Sequence, residues 1–222
     1  MNIFIHGWSF SKYVWKDFFN LDNSMFLDLP YHGSSKEIYT ENIIETYSDR
    51  LACLIQDSDE KVNLIGWSLG ASICVRTVLK VNQRKLSNLI LIGFSPKFKD
   101  KVLGHNPVFI KAFLVGLNID YENTIYRFRQ TATDSRFEEI PLPEKEGALY
   151  ILREYIELDL CDDLQKLEVK TTLIHGKQDK IISYKGSVFA KNVIKNSKLI
   201  LLNSNHAPFL QNPDLLIKVI SQ

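Results

Sequence analysis

The chain has 222 residues, 45% of them hydrophobic and 24% charged, enough for one substantial core with room for an inserted subdomain. A formal net charge of +1 gives no overall reason to expect nucleic acid as a partner. No apolar run approaches the ~20 residues needed to cross a bilayer, and MNIFIHG turns polar too soon for a secretory leader, so no membrane partner is expected; with three cysteines in no disulfide pattern, a reducing cytoplasm fits best.

From the N-terminus, the apolar run Asn2–Ile5 reads as a strand leading into His6-Gly7-Trp8, and Met25–Leu27 reads as a second strand, followed by DLPYHGSS at 28–35. A helical pattern extends from about Ile38 to Ile55, then a strand at Val62–Ile65 runs directly into Gly66-Trp67-Ser68-Leu69-Gly70. The next helix is expected from Ser68 to about Val81, and a strand at Leu89–Ile92. Between 96 and 167 no convincing strand occurs. That stretch is filled by helical segments such as HNPVFIKAFLVGLN, ENTIYRFRQTA and ALYILREYIELDL. Strands resume at Thr171–Ile174 and Leu199–Leu202, with helices at Ser187–Ile194 and from Asp214 to the C-terminus. Continuous apolar strands alternating with helices call for a parallel sheet covered on both faces, a doubly wound α/β architecture of about six strands. Residues 1–95 and 168–222 would form its core, and 96–167 a helical insertion, because a structureless loop of that length is improbable. Cys53, Cys74 and Cys161 have no metal-ligand spacing, and their odd number argues against a disulfide framework; no metal is expected.

Ser68 stands where a parallel-sheet protein places ligands, at the carboxyl end of a strand. It could cap the helix, bind phosphate or act as a nucleophile. A phosphate loop is disfavoured because no Lys-Ser/Thr pair follows the glycines. The pattern G-x-S-x-G puts a serine on a tight turn with its hydroxyl over the sheet edge, and such a nucleophile needs a base and an orienting acid, each just after a later strand. GKQD supplies Asp179 after one strand, and NSNHAPF supplies His206 after the last. Each alone reads as a turn or loop residue; in this order and context they read as partners of Ser68. Asp159 and Asp162 are the alternative carboxylates. The backbone N–H groups of Leu69 and Trp8 are the candidate donors for an oxyanion, and His6 is expected to brace the Trp8 loop.

With these residues in place, the chain resembles the α/β-hydrolase superfamily over nearly its whole length, through HGW, DLPYHGSS, GWSLGA, GKQDKII and NHAPFLQNP. HGW with GWSLG and HAPF is most similar to the pimeloyl-acyl-carrier-protein methyl ester esterases of biotin synthesis, which hydrolyse the methyl ester of pimeloyl-carrier protein. The segment YRFRQ at 126–130 resembles their aromatic-x-x-Leu-Gln lid segment, with Tyr126 in place of phenylalanine and Arg129 in place of leucine; Tyr31-His32 and the Gly-Ala end of the elbow also depart from the usual pattern.

The resemblance implies an α/β-hydrolase fold with a helical lid and serine ester hydrolysis with no metal or organic cofactor. Trp8, Phe109, Phe113, Tyr126, Phe128 and Gln130 would contact substrate, although such aromatics are equally expected to pack helices on a core. Lys111, Arg127, Arg129 and Arg136 would meet an acidic acyl-carrier protein, unless they form an ordinary solvated helix face. A monomer is expected. The alternatives are a general short-chain carboxylesterase or lactonase, or a noncatalytic binding protein of the same fold.

Overall fold

A computed structural model describes residues 1–222. Six strands, β1 (Asn2–Ile5), β2 (Ser24–Leu27), β3 (Val62–Trp67), β4 (Leu86–Ile92), β5 (Thr171–Gly176) and β6 (Ser197–Leu202), form one wholly parallel sheet in the order β2-β1-β3-β4-β5-β6. All six expected strands are present. Most extend beyond their apolar runs, because pairing provides partners for polar residues: the Asn63 amide donates to Asn2 Oδ1 and the Asn88 amide to Asn63 Oδ1, each at 2.8 Å, across three neighbouring strands. Ile3, Phe4, Ile5, Leu64, Ile65 and Leu89 are fully buried, the mark of a sheet covered on both faces.

The covering helices are α1 (Ile43–Gln56), α2 (Leu69–Val78), α6 (Tyr184–Val193), α7 (Pro208–Gln211) and α8 (Pro213–Ile220), while α3 (Pro107–Ile119), α4 (Tyr121–Thr133) and α5 (Lys145–Glu157) lie between β4 and β5. Helix α1 starts five residues later than its sequence pattern. Asn42 adopts a left-handed backbone with φ 50° and caps nothing; the Glu154 carboxylate of α5 instead accepts from the amides of Ile43 and Ile44, each at 2.8 Å. Helix α6 starts three residues earlier than expected, at a turn where the Ser183 hydroxyl accepts from the Lys185 amide at 3.3 Å. Helix α8 is the helix expected from Asp214, whereas the short α7 before it was not expected; proline opens both. No helix is long and apolar enough to cross a membrane.

Candidate active site

Strand β3 ends and α2 begins around Ser68, whose backbone is held at φ 57°, ψ −120°, a strained conformation for a residue with a side chain. Glycine flanks it for a steric reason: a Cβ on Gly66 would lie 2.5 Å from the Gly70 carbonyl oxygen, and one on Gly70 2.4 Å from that of Ile5. The Ser68 amide donates to the Ile92 carbonyl at 2.9 Å, tying the turn to the next strand. Its hydroxyl makes no capping hydrogen bond, so the helix-cap reading of this serine fails.

The loops after β5 and β6 bring Asp179 and His206 together. His206 Nδ1 donates to Asp179 Oδ2 at 2.6 Å, both side chains are almost wholly buried, and His206 Nε2 has no protein partner. Asp179 is held from every side: Oδ1 accepts from the amides of Ile181 (2.7 Å) and Ile182 (2.9 Å), and Oδ2 also meets His175 Nε2 at 3.0 Å. Burial alone would raise its proton affinity, but attraction to His206 and the hydrogen bonds from His175 and His206 outweigh it and keep the carboxyl far below the ordinary carboxylate range. Asp159 instead pairs with Lys97 at 2.7 Å on the surface, and Asp162 is exposed.

His175 was not singled out from sequence. It is fully buried, and Ser187 Oγ lies 2.7 Å from its Nδ1 and donates to the Phe94 carbonyl at 3.0 Å. The legible signal was a histidine within an apolar strand, one turn before the acid.

The amides of Trp8 and Leu69 donate to no protein acceptor. Two buried histidines shape the Trp8 loop. His6 Nδ1 donates to the Gly7 carbonyl at 2.8 Å and its Nε2 accepts from the Leu29 amide at 3.0 Å; His32 Nδ1 donates to the Pro30 carbonyl at 2.8 Å and its Nε2 accepts from the Ser9 amide at 3.1 Å. Burial lowers their pKa to about 4 and about 3, so both stay neutral. His32 is therefore a working part of the DLPYHGSS segment, where its departure from the usual pattern falls.

A cavity of about 370 Å³ opens at Ser68, lined among others by Trp8, Phe113, Arg127, Phe128 and Tyr155. Trp8 meets Phe113 and Phe128 edge-on, each at 5.6 Å between ring centres, and its indole N–H donates to the Ala148 carbonyl of α5 at 2.8 Å. Three expected cavity residues lie elsewhere. Phe109 is 61% exposed and is not part of the cavity lining. On α4 the positions Thr124, Arg127, Phe128 and Thr131 face the cavity, which leaves Tyr126 and Gln130, one turn apart, on another face. The Tyr126 ring packs instead near the guanidinium groups of Arg129 (5.9 Å) and Arg136 (5.0 Å), and Gln130 is exposed.

Of the four expected surface cations, Lys111, Arg127 and Arg136 are exposed, Arg136 in a 2.8 Å pair with Glu138. Arg129 is not available to a partner. It is fully buried, and its guanidinium donates to the carbonyls of Ser9, Phe137 (2.8 Å), Ile140 (2.8 Å) and Pro141 (3.0 Å), pinning the segment after α4 to the loop that carries Trp8. Burial lowers its pKa to about 10, which leaves it charged. No group of three or more His, Cys, Asp or Glu side chains is placed to hold a metal ion.

The model of the alpha/beta hydrolase family matches residues 3–219. This chain belongs to that family. The hydrolase is 27% identical to a protein of Wigglesworthia glossinidia brevipalpis named pimeloyl-[acyl-carrier protein] methyl ester esterase, over 98% of this chain and 91% of that one. A protein of the same name from Vibrio parahaemolyticus is also 27% identical, over 96% and 89%. Among solved structures, an esterase from Exiguobacterium antarcticum superimposes with a TM-score of 0.87 at 21% identity, covering 100% of this hydrolase and 91% of that chain. A bromoperoxidase from Bacillus anthracis gives 0.81 at 19%, covering 98% and 91%, so the fold by itself does not choose a reaction.

Proposed function

We propose that this hydrolase cleaves a carboxylic ester through Ser68, and that its substrate is the methyl ester of a pimeloyl group carried on acyl-carrier protein. The observations that carry the chemistry are the buried chain from Asp179 to His206 Nδ1, which leaves His206 Nε2 unpaired, and the strained serine that opens into the cavity. The substrate reading draws its support from the names of the relatives, which match along almost the full length of both chains.

In this reading His206 Nε2 takes the Ser68 proton as the hydroxyl oxygen attacks the ester carbonyl, and Asp179 holds the imidazole in the tautomer whose Nε2 can accept. The free amides of Trp8 and Leu69 receive the carbonyl oxygen as it gains charge, at the amino end of α2 where N–H groups point outward. His206 returns the proton to the departing methanol, then activates water against the acyl-enzyme. Residues 96–167 act as a lid whose helices α3, α4 and α5 wall the acyl channel, with Phe113, Phe128 and Trp8 as its apolar lining.

Lys111, Arg127 and Arg136 are among the exposed cations of this lid, and they suit an acidic carrier protein approaching the channel mouth. The test compares methanol release from pimeloyl-carrier-protein methyl ester by the wild type and by a Lys111→Ala/Arg127→Ala/Arg136→Ala variant. Exposed charge contacts contribute ~0.2–1 kcal/mol each, so the triple variant should raise KM about tenfold, with strong salt dependence. Turnover of p-nitrophenyl butyrate should hold much closer to wild type. No methanol release by the wild type would refute the carrier-linked substrate and leave the general carboxylesterase reading.

A further inference from the structure

Helix α5 lies across the proposed catalytic serine, and one of its polar groups has no role in the mechanism above. Ala148, Leu152 and Tyr155 recur at helical spacing on one face. The Ala148 carbonyl holds the Trp8 indole at 2.8 Å, while Leu152 and Tyr155 line the cavity together with Ser68. The Tyr155 ring is stacked on Phe98, with centres 4.7 Å apart and planes at 22°, so its direction is set by packing. The side chain is 3% exposed, and its hydroxyl has no hydrogen-bond partner.

A buried phenol that donates to nothing is unfavourable. It sits near the hydroxyls of Ser68 and Ser72 without hydrogen-bond geometry to either. Burial pushes its pKa up, only partly offset by those two hydroxyls, so the phenol stays protonated and can serve as a donor but not as a base. The unpaired buried atoms include Tyr155 OH, a donor, the neighbouring Ser72 hydroxyl, and His206 Nε2, an acceptor until it takes the serine proton.

An ester bound at Ser68 presents two oxygens. The carbonyl oxygen is served by the Trp8 and Leu69 amides, whereas the alkoxy oxygen has no fixed donor until His206 is protonated. We propose that Tyr155 is a catalytic residue whose hydroxyl donates a hydrogen bond to the alkoxy oxygen of the bound ester. In acylation the Ser68 Oγ–carbon bond forms as its proton passes to His206 Nε2. The carbon–alkoxy bond then breaks as His206 gives that proton to the alkoxy oxygen. Tyr155 keeps its own proton throughout; its hydrogen bond stabilises the charge that gathers on the leaving oxygen before His206 delivers. This assignment rests on the ester-hydrolase reading of Ser68.

The test is Tyr155→Phe, which retains the ring against Phe98, assayed with two butyrate esters that share one acyl-enzyme: methyl butyrate and p-nitrophenyl butyrate. Methoxide is a poor leaving group and needs the donor, while p-nitrophenolate departs unaided. Tyr155→Phe should lower kcat/KM for methyl butyrate about tenfold or more and for p-nitrophenyl butyrate by at most about twofold. Its melting temperature should match or exceed that of the wild type, because an unpaired buried hydroxyl has been removed. Equal losses on both esters would place the phenol on Ser68 or the oxyanion and overturn the proposal, as would no loss on either. A lowered melting temperature with kinetics unchanged would make the hydroxyl structural and overturn it as well. Wild-type turnover of p-nitrophenyl butyrate reads the ester-hydrolase assignment separately, and its absence would overturn both.

Discussion

The Trp67 indole N–H donates to the backbone carbonyl oxygen of His206 at 2.8 Å, so the residue immediately before Ser68 anchors the loop that carries the proposed base. The two rings lie 5.4 Å apart between centres, and Trp67 also packs edge-on against Phe209 at 5.2 Å. The elbow and the histidine loop thereby share one rigid support across the sheet edge. Trp67→Phe removes this hydrogen bond together with part of the buried indole, and should let the His206 loop drift. Small displacements of a catalytic group are expensive, so kcat for p-nitrophenyl butyrate should fall on the order of tenfold to a hundredfold. An unchanged kcat would mean that the loop is positioned without Trp67.

Asp179 receives four hydrogen bonds, and only one of them comes from the proposed base. Asparagine keeps an acceptor for the Ile181 and Ile182 amides but turns an N–H toward the two histidines. Asp179→Asn should therefore fold and lose turnover by ~10⁴, the loss that follows when the imidazole is held in the wrong tautomer. Near-normal turnover with p-nitrophenyl butyrate would show that another group orients His206.

The candidate site was legible in the sequence where its residue types fall near strand ends: Ser68, Asp179 and His206 each lie within a few residues of an apolar run, and all three runs are strands. What escaped is set by helix rotation and by tertiary contacts. Nothing in YRFRQ distinguishes Phe128, which faces the cavity, from Tyr126, which does not; that depends on how α4 is rolled against α3. Arg129 reads as a surface cation because its acceptors are four backbone carbonyls, one of them 120 residues away at Ser9, and carbonyls leave no trace in a side-chain pattern. The late start of α1 has a similar cause in Glu154, 111 residues from the amide of Ile43 that it caps. Tyr155 was hidden in an apolar helical face, where a phenol is indistinguishable from packing until its hydroxyl is seen to be unpaired.

Arg129→Leu, which places an apolar side chain at this buried position, should be strongly destabilising. It strips the carbonyls of Ser9, Phe137, Ile140 and Pro141 of their charged donor, the first three of them buried. A loss on the order of 3 kcal/mol is expected, lowering the melting temperature by ~6–12 °C for a chain of this size. A surface role would leave the melting temperature unchanged.

Stability should fall with acid before any carboxylate titrates. His6 and His32 are held neutral in the fold, at about 4 and about 3, against an ordinary histidine value near ~6.5. Below that value the unfolded chain binds protons that the folded chain refuses, so stability is complete above pH ~6.5 and declines toward pH ~4, by up to ~1.4 kcal/mol per pH unit for each histidine. Thermal melts should show the melting temperature dropping between pH 6.5 and 4.5. His32→Gln can still donate to Pro30 and accept from Ser9, and it should flatten that slope. A wild-type melting temperature independent of pH over this range would contradict the assignment of neutral buried histidines.

The central claim is that Ser68 is the nucleophile, and a fluorophosphonate probe followed by peptide mass spectrometry tests it directly. The strained elbow, the unpaired His206 Nε2 and the open cavity predict one adduct per chain, on Ser68, formed by the wild type and absent from Ser68→Ala. An adduct on any other residue, or a wild type that the probe does not label, would contradict it.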